Sequence, residues 1–252
     1  MGRSGAMNVS EDTKTLVIIP AYNEEESLAR VVAGVRAAVP GADVVVINDG
    51  SHDRTPLIAE HAGATVVSLP YNLGIGAAMQ TGFMLAQAGG YQVAVQVDGD
   101  GQHDPGEIGV LLERLLAGEA DVVVGSRYLE KRGYITPWLR MLGIKILAGY
   151  VSTLAGQRFS DTTSGFRASN RRALQLCAMN YPADYPEPES LLAFRKMGLG
   201  VLEVAVSMNK RYGGQSSITP FWSAYYMIKV ILAVSILLLR RAPRRGESTY
   251  VP

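Results

Sequence analysis

The 252-residue chain has one cysteine, Cys177, so it forms no disulfide within itself and offers no cysteine-based zinc site. That usage fits a reducing compartment. Charge of one sign is equally scarce. Lys and Arg number 24 against 23 Asp and Glu, a formal +1, so overall charge gives no reason to expect nucleic acid as a partner. No apolar run follows the first methionine, and no secretory leader is expected there. Residues 1–6, ahead of a second methionine at Met7, read as a cloning remnant and carry no weight in the fold. Internal repeats and low-complexity linkers are absent.

Apolar residues, by contrast, are plentiful at 48%, enough to fill the core of one α/β domain. Short Val/Ile-rich runs at 16–19, 44–47, 65–67, 93–97 and 122–124 predict strands buried on both faces, as a parallel sheet requires. Helical patterns lie between them. Asn23 and Glu26 precede Leu28, Val31, Val32 and Val35 at helical spacing, and further helices are predicted over 53–61 and 73–88. Asp104-Pro105-Gly106-Glu107 places Asp at the N-cap, Pro at N1 and Glu at N3 of another. The second half predicts helices over 138–154 and 188–197 and strands over 164–167 and 201–206. The fold class is therefore α/β, a mostly parallel central sheet with helices on both faces. Ligands are expected at the carboxyl ends of the strands.

Three polar loops fall at those ends. Asp98-Gly99-Asp100-Gly101-Gln102-His103 sits between a buried strand and a capped helix. Two carboxylates so spaced can face one hard cation, and Mg²⁺ or Mn²⁺ takes such oxygens together with substrate phosphates. His103 is better read as a structural group than as a ligand. Pro20-Ala21-Tyr22-Asn23-Glu24 follows the first strand, and Asn48-Asp49-Gly50-Ser51 the second. Each alone is a turn with a helix cap; together they line one edge of the sheet.

These motifs, with Asn72-Leu73-Gly74-Ile75-Gly76, Gly125-Ser126-Arg127 and Asp161-Thr162-Thr163-Ser164-Gly165-Phe166-Arg167, occur in an order that resembles the family 2 inverting glycosyltransferases of GT-A fold. More narrowly, the chain is similar to the dolichyl- and polyprenyl-phosphate sugar transferases over about residues 15–218. The resemblance implies a GT-A domain over 7–218 and a donor that is a UDP- or GDP-sugar. Pro20, Ala21, Tyr22, Glu24, Asp49, Asp98 and Gly99 would line the donor pocket, and Arg211 would close over it. Asp98, Asp100 and Gln102 would hold Mg²⁺ or Mn²⁺ with the diphosphate. Arg127 and Arg167 would face phosphate groups, with Ser164 near the acceptor. Two positions depart from the family pattern. Asn48 stands where an aspartate is usual, and Ile75 where a lysine is often found.

An acceptor hydroxyl needs a base to take its proton. A phosphate monoester is already anionic and needs cations to position it. The late Gln-x-x-Arg-Trp motif of processive relatives is absent, and Arg127, Arg167, Lys210 and Arg211 are available, so a polyprenyl phosphate acceptor is expected. Glu187 or Glu189, in Asp184-Tyr185-Pro186-Glu187-Pro188-Glu189, keeps alive a hydroxyl acceptor with a carboxylate base. The bland reading of this pair is a helix start favoured by the dipole.

Residues 219–252 form a separate expectation. The apolar stretch 221–239 is long enough to cross a bilayer, but Lys229 at its centre costs about 2.5–3.5 kcal/mol there. Aromatics at its start and Arg240, Arg241, Arg244 and Arg245 behind it suit an interface with anionic lipid. A peripheral or monotopic helix on the cytoplasmic face of a membrane is expected, with a homo-oligomer interface as the competing reading. A Rossmann dehydrogenase is disfavoured, since Gly74-Ile75-Gly76 lacks the third glycine and does not follow the first strand. An inactive sugar-nucleotide sensor is disfavoured by the intact acidic and arginine motifs.

Overall fold

The computed structural model describes residues 13–130, 138–209, 229–233 and 235–236. Seven strands form one sheet: β1 (Thr15–Ala21), β2 (Asp43–Asn48), β3 (Thr65–Ser68), β4 (Val93–Gln96), β5 (Val122–Ser126), β6 (Arg167–Asn170) and β7 (Val201–Ala205). Their order is β3-β2-β1-β4-β6-β5-β7. All run parallel except β6, which lies antiparallel between β4 and β5. The helices are α1 (Leu28–Ala38), α2 (Thr55–His61), α3 (Ile75–Ala88), α4 (Ile108–Leu116), α5 (Trp138–Ala155), α6 (Arg171–Met179) and α7 (Pro186–Lys196).

Alternation along the strands sorts side chains onto two faces. Val17 and Ile19 of β1 join Leu28, Val31 and Val35 of α1 and Leu111, Leu112 and Leu115 of α4. Leu16 and Ile18 point the other way, into a cluster with Met79 and Phe83 of α3, Leu174 of α6 and Leu191 of α7. Each such fully buried aliphatic side chain contributes about 1.5–3 kcal/mol. Polar loops therefore remain only at the sheet's ends.

Two elements differ from expectation. The short strand predicted over 164–167 begins only at Arg167, because Ser164 and Phe166 are pulled into a loop. Ser164 Oγ donates to the Gly125 carbonyl at 2.6 Å, and Phe166 is fully buried. Helix α6 arises where the sequence analysis predicted no element. Asn170 caps it by accepting from the backbone N–H groups of Arg172 and Ala173, while Ala173, Leu174 and Cys177 face the core.

The described residues of the C-terminal segment are helical. Val230 is fully buried in the same cluster as Leu147 and Val151 of α5, and Tyr150 Oη lies 2.6 Å from Ser235 Oγ. This part of 219–252 thus packs on the main domain. The remaining positions of that segment, with Lys210 and Arg211, lie outside the described residues, as do residues 1–6.

Candidate active site

The first two loops are laced together by side chains. Asn23 adopts φ +54°, a left-handed conformation that asparagine tolerates. In that pose its N–H donates to Ser51 Oγ at 3.0 Å and its Oδ1 accepts from His52 N–H at 2.9 Å. Glu24 N–H donates to Thr55 Oγ1 at 2.8 Å, and Glu25 N–H to Asp53 Oδ2 at 3.2 Å. Burial alone would raise the Asp53 carboxyl, but the hydrogen bonds from Thr55 and Glu25 together outweigh it and hold that group below the usual carboxylate range.

Asp49 is almost fully buried. Its two carboxylate oxygens accept from the Leu73 and Gly74 backbone N–H groups at 2.8 and 2.9 Å. It therefore fixes the loop before α3, a task its sequence position did not reveal. Asn48 has a local explanation too. Its Oδ1 accepts from Ser51 N–H and its Nδ2 donates to Ser68 Oγ, joining the ends of β2 and β3. An ionised aspartate could supply only the acceptor half of that pair.

The acidic loop is braced from several sides. His103 stacks on Phe166 with ring centroids 4.9 Å apart, and its Nδ1 accepts from the Asp98 backbone N–H at 2.9 Å. The ring proton therefore sits on Nε2, 3.4 Å from Asp98 Oδ2. That arrangement makes His103 a support for the loop. Asp100 Oδ1 accepts from Gln102 N–H, and the Gln102 carbonyl accepts from Asn209 N–H. Ser27 was not apparent from sequence. Fully buried at the start of α1, its Oγ lies 2.7 Å from the Gly99 carbonyl and 2.9 Å from Glu24 Oε2.

These groups surround an open cleft of about 340 Å³. Pro20, Ala21, Tyr22, Glu24, Asp49, Gly74 and Ile75 line it. Asp98, Gly99 and Asp100 complete it. Every donor-pocket residue expected from sequence within the described chain thus reaches one cavity. Asp98 Oδ1 is buried without a hydrogen-bond partner, which suits an acceptor atom kept for a ligand or a neighbouring donor. Among the described residues no three His, Cys, Asp or Glu side chains gather as a metal cage, so diphosphate oxygens would have to complete a cation's coordination here.

The expected arginines are placed differently. Arg127 forms a fork with Asp161, Nε to Oδ2 at 2.6 Å and Nη2 to Oδ1 at 2.7 Å, and Nη2 also donates to Thr163 Oγ1. Arg167 is 4% exposed. Its Nε donates to the Ser164 carbonyl, Nη1 to Ser190 Oγ and Nη2 to the Glu187 carbonyl. Both guanidinium groups clamp loops. Ser164, 1% exposed and bonded to the Gly125 carbonyl, likewise ties loop to strand. Glu203 went unnoticed in the sequence. Its carboxylate accepts from the Ser160 and Asp161 backbone N–H groups at 2.7 and 2.8 Å and holds the same loop. Glu187, partly exposed at the start of α7, feels Arg167, Asp98 and Arg127; burial pushes its carboxyl up despite the two arginines.

The family described as Glycosyl transferase family 2 matches residues 16–175. The chain belongs to that family. It is a glycosyltransferase with a GT-A-like fold. It is 34% identical over 217 residues to the polyprenol monophosphomannose synthase of Mycolicibacterium smegmatis, covering 82% of this chain and 81% of that one. It is 32% identical to the undecaprenyl-phosphate mannosyltransferase of Micrococcus luteus, covering 82% and 88%. Among solved structures it resembles glucosyl-3-phosphoglycerate synthase from Mycobacterium tuberculosis in complex with Mn²⁺ and UDP-glucose. The TM-score is 0.66 at 23% identity, over 89% of this chain and 78% of that one, a likeness of fold.

Proposed function

We propose that this glycosyltransferase moves a sugar from a UDP- or GDP-sugar to a polyprenyl phosphate, with inversion and with a divalent cation. The observation that carries the reading is the cleft itself: Asp98 and Asp100 meet a nucleotide-sized pocket at the carboxyl ends of parallel strands. Two relatives above 30% identity bear names of polyprenyl-phosphate mannose enzymes, which supports the acceptor class and makes mannose the first sugar to try.

Tyr22 and Ile75, each more than a third exposed at the mouth of the cleft, offer apolar surface to a base. Ile75 adds no charge beside the diphosphate. Asp98, Asp100 and Gln102 are the residues that would hold Mg²⁺ or Mn²⁺, which when bound neutralises charge on the departing diphosphate. Pre-formed loops fix the donor, so one oxygen of the acceptor phosphate attacks the anomeric carbon as the bond to the nucleotide diphosphate breaks. No proton has to be removed. Arg127 and Arg167 act by holding the loop 161–167 and the start of α7 beside this line of attack.

The acceptor is a lipid, and the chain offers it a surface. Leu142 and Ile146 of α5, one turn apart, are about half exposed, as are Leu232 and Ile236 of the helix docked on it. Among the described residues no helix is long and apolar enough to cross a membrane. We infer attachment in the plane of the cytoplasmic leaflet by this face and the arginine-rich tail.

A second reading keeps a hydroxyl acceptor with Glu187 or Glu189, both at the start of α7, as its base. Radiolabel transfer from GDP- and UDP-sugars into polyprenyl phosphate, with and without EDTA, separates the two. Label in the lipid phase that EDTA removes supports the proposal. Soluble glycoside, with none in lipid, overturns it in favour of the second reading.

A further inference from the structure

Gln96 ends β4 two residues before Asp98, on the face shared with Ile18 and Arg167, its register partners on β1 and β6. It is 2% exposed, and neither Nε2 nor Oε1 has a hydrogen-bond partner. A glutamine in a core strand without partners is costly, since both halves of its amide lose water and gain nothing. Among the described residues, Asp98 Oδ1 is the one buried carboxylate oxygen without a partner. The two orphans are neighbours. A Cβ placed on Gly165 would stand 2.6 Å from Gln96 Nε2 and 3.3 Å from Asp98 Oδ1. A side chain at 165 would displace the Gln96 amide, so glycine there leaves both polar atoms where they are.

We propose that Gln96 is a positioning residue for Asp98: its amide N–H, packed under Gly165, is the donor for Asp98 Oδ1. The inference rests on the reading of Asp98 as a donor-site carboxylate and adds the group that aims it. Complementarity fits: a carboxylate oxygen only accepts, the amide nitrogen only donates, and both stand beside the same point at Gly165. His103 holds the other side, with Nε2–H toward Oδ2 and Nδ1 on the Asp98 backbone. Gripped by both, the carboxylate has one orientation when the donor arrives. Losing a support of this kind around a ligating carboxylate typically weakens metal binding by about 10- to 100-fold.

The test is binding without turnover. Full-length protein is titrated calorimetrically with GDP and with UDP in the presence of Mn²⁺, and Mn²⁺ alone is followed by electron paramagnetic resonance. Gln96→Met, which keeps length and removes the donor, should weaken Mn²⁺–nucleotide binding by about 10-fold or more. Donor KM should rise while acceptor KM stays, and the melting temperature should hold or increase because an unpaired amide is gone. Gly165→Ala, pressing on the same two atoms, should weaken nucleotide binding as well. Unchanged affinity in Gln96→Met, with or without a change in melting temperature, overturns the positioning role alone. Wild-type protein that binds neither nucleotide overturns the reading of the whole cleft and this inference with it.

Discussion

Arg127 and Asp161 meet as a fork, two nearly parallel hydrogen bonds of 2.6 and 2.7 Å, with the carboxylate fully buried and the guanidinium 11% exposed. The pair staples the loop before β6 to the end of β5. Removing one partner strands a buried charge. Asp161→Ala is expected to lose about 3–5 kcal/mol of stability, read as a lowered denaturant midpoint at unchanged slope. A variant as stable as wild type would show the fork to be dispensable.

Asp100 Oδ1 accepts from the Gln102 backbone N–H within the acidic loop. Asp100→Ala should leave the melting temperature nearly unchanged and reduce transfer by at least about 100-fold, the scale of losing one group that stabilises developing charge. Activity near wild type would remove Asp100 from the donor site.

Asp53 gives the protein an acid-sensitive joint. Its folded pKa lies below the model-peptide value of 3.8, so its contribution is present above that value and is lost as pH falls through the lower folded one. Asp53→Asn should be less stable than wild type at pH 7, and the two melting curves should converge below about pH 4. A constant gap from pH 7 to pH 3 would assign the effect to shape instead of charge.

The exposed face of α5 makes a separate prediction. Ile146→Glu should leave folding and nucleotide binding intact and abolish co-sedimentation with vesicles of anionic phospholipid. Retained sedimentation would move the membrane contact elsewhere.

Much of the sheet was legible because valine- and isoleucine-rich runs of three to five residues, bounded by polar loops, read as buried strands. The donor cleft was legible because its residues sit directly after those runs, where a parallel sheet gathers its loops. Less visible was what the polar groups do once gathered. Nothing in the local sequence distinguishes an Asp49 that reads a base from one that caps Leu73 and Gly74, since its partners lie some 24 residues away. Arg167 reads as a phosphate ligand until α7 folds against it and takes up its donors. Strand β6 was expected a few residues too early for a related reason: four residues flanked by a glycine-containing loop and a polar cap carry too little pattern to fix a strand's bounds.

That short strand governs the order in which the protein can assemble. Strands β1 to β4 can pair as soon as they are made, yet β5 and β7 reach them only through β6, which follows α5 in the chain. Until residue 170 has been synthesised, β4 is an open edge and the floor beneath Asp98 has no Gly165. A nascent chain halted before that point carries a half-built sheet with its acidic loop uncovered, and an unpaired edge of that kind invites a partner from another chain.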